Sequence, residues 1–204
     1  MFNIFKAIVD ANLNNGDKQV MSITTDKGEH RTYTYAQMFS LAAQFAQKLA
    51  EAGVIKGDRI VIAAENSPEW NIAYVAVMEM ECTAVLVDAS LPESDLRTLI
   101  DNSDARCVFT SPRVFAKFDT PVSKLIPVLD IMSMAAPFAG HLDKIADSVP
   151  ATPDPDSDVA FIIYSSGTTR TATGIMHTHE AMLGTTYAAM KFNKLDRNSK
   201  MLVV

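Results

Sequence analysis

The chain has 204 residues, 48% hydrophobic and 21% charged, the composition of an ordinary folded protein rather than a disordered tail. A chain of this size can bury about 70% of its unfolded surface, so it needs no disulfide or metal staple. With 18 Lys and Arg against 24 Asp and Glu the net charge is -6, which argues against a nucleic-acid binder but leaves room for a local phosphate site built from backbone N–H groups.

No uncharged apolar run reaches the roughly 18 residues that cross a bilayer. Met1 to Lys6 carries no signal-peptide core, so a cytoplasmic protein is expected. Cys82 and Cys107 stand in apolar stretches without metal spacing and read as buried thiols in a reducing compartment.

In chain order, Met21 to Thr25 and Arg31 to Tyr33 read as strands joined by the turn Asp26-Lys27-Gly28. Thr34 with Gln37 three residues on forms a capping box. Behind it Tyr35, Met38, Ala42, Phe45, Leu49 and Ala52 share one helical face, and Gly53 is placed to stop the helix. Then strands and helices alternate: strand Arg59 to Ala64, helix from Pro68 to about Glu81, strand Thr83 to Val87, helix from Pro92 to about Ser103, strand Arg106 to Thr110, a short helix over Arg113 to Lys117, and strand-like Leu125 to Leu129. This alternation predicts an α/β fold, a mostly parallel sheet with helices on both faces.

Pro150 to Asp158 holds three prolines and three aspartates and reads as a linker. The expected organisation is an α/β subdomain over 1–150, a linker over 151–158, and from 159 to 204 the start of a second subdomain with its own sheet region. Val159 to Tyr164 is a buried-type strand, Thr178 to Lys191 a helix, and Met201 to Val204 the start of a strand that looks cut in mid-domain.

Between Tyr164 and Gly174 eight of eleven residues are Ser, Thr or Gly. Hydroxyls and unshielded amides converge easily on an anion with several oxygens; a ligand-free polar turn is the alternative. The run is no Walker A loop, because no Lys follows the second glycine, and no nucleophile elbow, because Ser165 and Ser166 lack the first glycine. His177 and His179 have no carboxylate or thiol at metal-ligand spacing. Tyr187 and Lys191 match Tyr-x-x-x-Lys of short-chain dehydrogenases, but the glycine-rich cofactor turn is missing; a packed Tyr187 and a solvated Lys191 are expected instead. Trp70 and Tyr74 read as packing residues.

Val159 to Thr169 followed by Gly174-Ile175-Met176-His177-Thr178-His179 resembles the signature of the adenylate-forming superfamily, whose loop usually reads Tyr-Thr-Ser-Gly-Thr-Thr-Gly-x-Pro-Lys-Gly-Val and then Thr-His. Upstream, Gly53-Val54-Ile55-Lys56-Gly57-Asp58-Arg59, Asn66-Ser67-Pro68-Glu69-Trp70 and Leu91 to Leu96 before Asp104 to Thr110 are similar to family segments in the same order. The resemblance implies a carboxylic acid–CoA ligase of the acyl-CoA synthetase or 4-coumarate–CoA ligase type. Such enzymes use ATP, Mg2+ and coenzyme A, and form an acyl-adenylate before the thioester. It implies that Ser165, Ser166, Gly167, Thr168 and Thr169 donate to phosphate oxygens, with Thr168 next to Mg2+. Arg170, Thr173 and Gly174 would border the phosphates, and His179 would sit behind the loop, near the acyl pocket or ordering the chain. A fatty or aryl acid is the default substrate.

The chain departs from the pattern where Arg170, Ala172 and Thr173 stand for the family's Gly, Pro and Lys. Arg170 either restores the missing cation or obstructs the loop. A non-catalytic member acting as a binding module is the competing expectation, and self-association or docking through an exposed surface is a further one. The family's adenine and ribose contacts, Mg2+ carboxylate, hinge and catalytic lysine fall downstream of its loop. The 204 residues alone are therefore expected to show no ATP–pyrophosphate exchange, and a measurable exchange rate from the purified chain would overturn that expectation.

Overall fold

The computed structural model describes residues 3–25, 27–120, 125–127, 159–164, 173–196 and 199–201. The first element is a helix the sequence reading did not assign, α1 (Ile4–Asn12), capped by the Asn3 side chain, which accepts from the Lys6 amide. Strands β1 (Gln19–Thr24) and β2 (His30–Thr34) pair antiparallel as a separate two-stranded sheet. The Gly28 amide closes their turn onto the Thr25 carbonyl at 2.8 Å, and Gly28 has φ +79°, where glycine alone is unstrained. Asp26 of the expected turn lies outside the described residues.

Helix α2 (Tyr35–Glu51) starts at the expected capping box, with both Thr34 and Gln37 side chains engaged. Met38, Ala42, Phe45 and Leu49 are buried as expected, and Phe39, Leu41 and Ala46 join them. The stripe is wider than a single row because the helix packs on the sheet and on α3 together. Ala52 drops out of the face: it is the exposed C-cap.

The main sheet is built from β3 (Arg59–Ala63), β4 (Thr83–Leu86), β5 (Cys107–Thr110), β6 (Leu125–Pro127), β7 (Val159–Tyr164) and β8 (Gly174–Thr178). Their spatial order is β6-β5-β3-β4-β7-β8. The pairings up to β7 are parallel, and β8 returns antiparallel along β7. Crossovers are made by α3 (Pro68–Glu79), α4 (Glu93–Asn102) and α5 (Pro112–Phe115). α3 ends two residues earlier than expected: Glu81 turns left-handed at φ +53° and the Cys82 amide reaches back to the Val77 carbonyl at 3.1 Å. Such a stop is usually made by glycine.

β3 lies at the centre. Its Ile60, Val61, Ile62 and Ala63 are each 0% exposed. Ile60 and Ile62 face a core shared with α1, α2 and α3, in which Phe45 and Phe109 lie 4.7 Å apart. Val61 and Ala63 face the opposite core with Leu96, Leu99, Ile100 and Val114 from α4 and α5. Both faces are covered, as the continuous apolar runs require.

The second sheet region expected from Val159 is corrected. β7 adds to β4, with Ala84 opposite Phe161 and Leu86 opposite Ile163. The physical reason is that β4 is buried on both faces and needs a strand on each edge; β7, with Ala160 and Ile162 buried, supplies the second. The expected linker over 151–158 lies outside the described residues. Helix α6 (His179–Phe192) closes the described fold.

One buried group works against stability. Glu79 ends α3 with Oε2 buried and without a hydrogen-bond partner, and burial pushes its carboxyl up to about 7. Below about pH 4.5 both folded and unfolded chains carry the proton. As pH rises toward 7 only the unfolded chain loses it, so stability falls over that window. Glu79→Gln is expected to raise stability at pH 8 by on the order of 2 kcal/mol, with the gain vanishing below pH 4.5, as urea melts at the two pH values will report.

Candidate functional site

The hydroxyl-rich run has defined ends. Tyr164 closes β7, Gly174 opens β8, and the two are register partners. Because β7 runs parallel to β4, the run leaves from the carboxyl edge of the parallel strands, the edge where α/β sheets bind ligands. Ser165, Ser166, Gly167, Thr168, Thr169 and Arg170 lie outside the described residues. Thr173, Gly174 and His179 lie within them.

Thr173 is exposed at the foot of the run, and its neutral hydroxyl brings no charge. Gly174 is set by packing rather than by a special backbone angle. A Cβ there would stand 2.9 Å from Ile162 Cγ2 and 3.5 Å from the Tyr164 ring. The glycine thus lets β8 lie close on β7 where the run returns to the sheet.

His179 follows β8 directly in the chain. It opens α6, is 4% exposed, and receives the Ile4 amide of α1 on its Nδ1 at 3.4 Å. The side chain of Thr178 caps this helix by accepting from the Ala181 amide at 3.1 Å. His177 instead stacks on Phe161, ring centroids 4.6 Å apart. The two histidines therefore serve different neighbours.

Beside the end of β7, β4 exits through Val87 and Asp88. Asp88 Oδ1 accepts the Ser90 amide at 2.8 Å. That backbone bond, the Ser90 side chain and the Lys117 charge hold its carboxyl below the usual carboxylate range. Lys117 Nζ pins the same loop by donating to the carbonyls of Ala89 and Leu91 at 2.7 and 2.8 Å. The sequence reading did not single out this acidic, fixed corner. Its signal was Asp88 two residues before Ser90, an Asx-turn spacing directly after a strand.

The upstream segments divide between the two ends of the sheet. Gly53 to Arg59 builds the amino end: the Ile55 amide donates to Asp58 Oδ2 at 2.9 Å, Gly57 donates to the Glu81 carbonyl at 3.0 Å, and Arg59 Nη1 donates to the Ser103 carbonyl at 3.0 Å. Asn66 to Trp70 stands at the carboxyl end, where Ser67 caps α3 by accepting the Trp70 amide at 3.1 Å and Glu69 pairs with Arg31 at 3.3 Å. Trp70 stacks on Tyr74 at 5.5 Å, a packing role.

Cys82 and Cys107 are buried, and burial pushes both thiols up to about 12, so neither is a nucleophile. Lys191 Nζ lies 4.8 Å over the Tyr187 ring. Tyr187 is 61% exposed, a correction to its expected packing that follows from the last two turns of α6 standing clear of the core. Among the described residues no three His, Cys, Asp or Glu gather to hold a metal, and no helix is long and apolar enough to cross a membrane.

A family model described as AMP-binding enzyme matches residues 9–204. The chain is 28% identical over 166 residues to a 3-hydroxybenzoate–CoA ligase of Aromatoleum sp. (strain CIB), covering 76% of this chain and 31% of that protein. It is 30% identical over 152 residues to a long-chain-fatty-acid–CoA ligase of Mycobacterium tuberculosis, covering 73% of this chain and 30% of that one. The chain thus spans about a third of the length of these relatives. In fold it is similar to a fatty acyl-adenylate ligase from L. pneumophila solved with acyl adenylate and pyrophosphate: TM-score 0.74, 21% identity, 94% of this chain and 33% of that one.

Gly174→Ala is expected to destabilise the β7–β8 hairpin by about 1–3 kcal/mol, because Ile162 Cγ2 sits on a branched carbon that cannot swing aside. Hydrogen exchange at the β8 amides should accelerate while exchange in β3 stays slow.

Proposed function

The chain belongs to the AMP-binding enzyme family, and on that premise we propose that it carries the phosphate-gripping part of an ATP-dependent acid–thiol ligase. The reaction joins a carboxylic acid to the nucleotide with release of pyrophosphate, and a thiol such as that of coenzyme A then takes the acyl group with release of AMP. The observation that carries this reading is the place of the Ser/Thr/Gly run: it leaves β7 and returns as β8 at the carboxyl edge of a parallel sheet.

The run fits a polyanion. Hydroxyls and amides of Ser165, Ser166, Gly167, Thr168 and Thr169 would donate to the β- and γ-phosphate oxygens. Their contribution is to fix the leaving pyrophosphate and to meet the charge that develops on it. Each such bond to a charged oxygen is worth about 1.5–3 kcal/mol. Asp88 leaves the neighbouring strand at the same edge and is held ionised, so a polyanion is best received there with a cation between. Mg2+ would meet that need by neutralising phosphate charge, and the Thr168 hydroxyl would help to hold it, since this ion keeps few protein ligands. The acid is a fatty or aryl acid, the two classes named in the relatives above, and the setting is cytoplasmic.

A non-catalytic binding module is the second reading. It is disfavoured by the margin formed by β7, β8 and α6, where Ile163 and its register partner Ile175 share one sheet face and are, with Tyr187, Met190 and Phe192 of α6, 41% to 87% exposed. Large apolar side chains left exposed along one margin suit contact with further protein, as in a larger ligase fold.

Equilibrium dialysis of the 204-residue chain against MgATP and magnesium pyrophosphate tests the proposal. Saturable binding of both is expected, and none would overturn it. If Arg170 replaces the charge of the family's lysine, Arg170→Gly and Arg170→Ala each weaken binding by roughly tenfold to a hundredfold. Unchanged or tighter binding would remove that compensation.

A further inference from the structure

β8 is the return strand of the phosphate run, and among the described residues it is paired only along β7. An edge strand held on one side can slip or fray, so something else must fix where it ends and α6 begins. α6 gives little help along its length. From Gly184 to Phe192 every residue is exposed, and His179 is its one buried residue. Among the described residues the helix is fastened through its first turns: His179 to α1, the Tyr74 hydroxyl donating to Met182 Sδ at 3.5 Å, and Leu183 on the core.

The α1 side of this fastening is as buried as the His179 side. Asn3 is 1% and Ile4 3% exposed. Asn3 Oδ1 takes the Lys6 amide at 3.2 Å and the Asn3 carbonyl takes the Ala7 amide at 3.0 Å. The Ile4 amide, one of the first-turn donors that a helix cannot satisfy internally, goes to His179 Nδ1, 175 residues away in the chain. A buried amide without an acceptor is costly, so α1 docks in this position only with an acceptor at that point.

We propose that His179 is a positioning residue whose Nδ1, by accepting the Ile4 amide, makes α1 the anchor of the β8–α6 junction and so fixes the exit of the phosphate run. The anchoring stands on the geometry alone; its effect on nucleotide binding rests on the function proposed above. His179 thereby acts on the site from the first helix of the chain and touches no ligand itself.

The experiment uses the full chain with His179→Asn, His179→Leu, Ile4→Pro and the double variant Ile4→Pro/His179→Leu. Asn places an oxygen where Nδ1 stood, Leu places no acceptor, and Pro removes the donor at a first-turn position that tolerates its ring. Hydrogen exchange is read at Ile4 in the chains that keep its amide and at the β8 amides in all, and affinity for MgATP is read by dialysis. His179→Leu is expected to speed exchange at Ile4 and across β8 by about fivefold to tenfold and to weaken MgATP binding severalfold. His179→Asn should restore both, and the double variant should be no worse than the poorer single one, because both changes remove the same bond.

Unchanged exchange in His179→Leu overturns the proposal. So does faster exchange at Ile4 with β8 unaffected, which would make the contact a local one. If His179→Asn binds MgATP as poorly as His179→Leu while its exchange is normal, His179 meets the ligand directly and the positioning role falls. If the unaltered chain binds no MgATP, the function proposed above fails, and exchange at β8 still decides the anchoring.

Discussion

The central constraint is the complete burial of β3. Four consecutive residues, Ile60 to Ala63, are fully removed from water, and they point alternately to opposite faces. A strand in that position can exist only if both faces carry helices and both edges carry strands. α1, α2 and α3 cover one face and α4 and α5 the other, while β4 and β5 take the edges. Burial is worth about 25 cal/mol per Å2 of apolar surface, so these two cores outweigh any single polar contact in the molecule.

Chemistry follows from that layering because parallel strands send all their exits to one edge. At the amino edge the chain spends its special residues on closure. Gly53 and Gly57 turn at φ +81° and +84°, and Asp58 and Arg59 satisfy stray backbone groups. The carboxyl edge gathers the Ser67 cap, the pinned Asp88 corner and the two ends of the hydroxyl-rich run. The family-like segments, successive in the chain, thus split into a structural set at one end and a set around the candidate site at the other.

The antiparallel return of β8 shapes the site most. It ties the end of the run to an edge strand, and small packing terms gather along that strand and its exit: the missing Cβ of Gly174, the Phe161–His177 stack and the seat of His179 against α1. It also leaves Ile175 and Met176 of β8 and the outer turns of α6 uncovered among the described residues. The core around β3 is closed, whereas this margin is not.

Much of this was legible in the residues. The Thr34–Gln37 box, the Ser67-Pro68 helix start and the apolar strand runs report local geometry that short-range sterics and hydrogen bonds enforce. The chemical character of the 165–173 run was likewise carried by its hydroxyls and glycines. Long-range partners were not legible. That β7 would complete the first sheet, that Gly174 would be set by Ile162, and that His179 would face the Ile4 amide each depend on residues far apart in sequence meeting across a packed core. Periodicity records which side of an element is apolar, and it holds no record of what that side will touch. α1 escaped notice for a related reason: nine residues make a marginal helix in water, and only burial of Ile4, Phe5 and Val9 against α3 and α6 makes it stable.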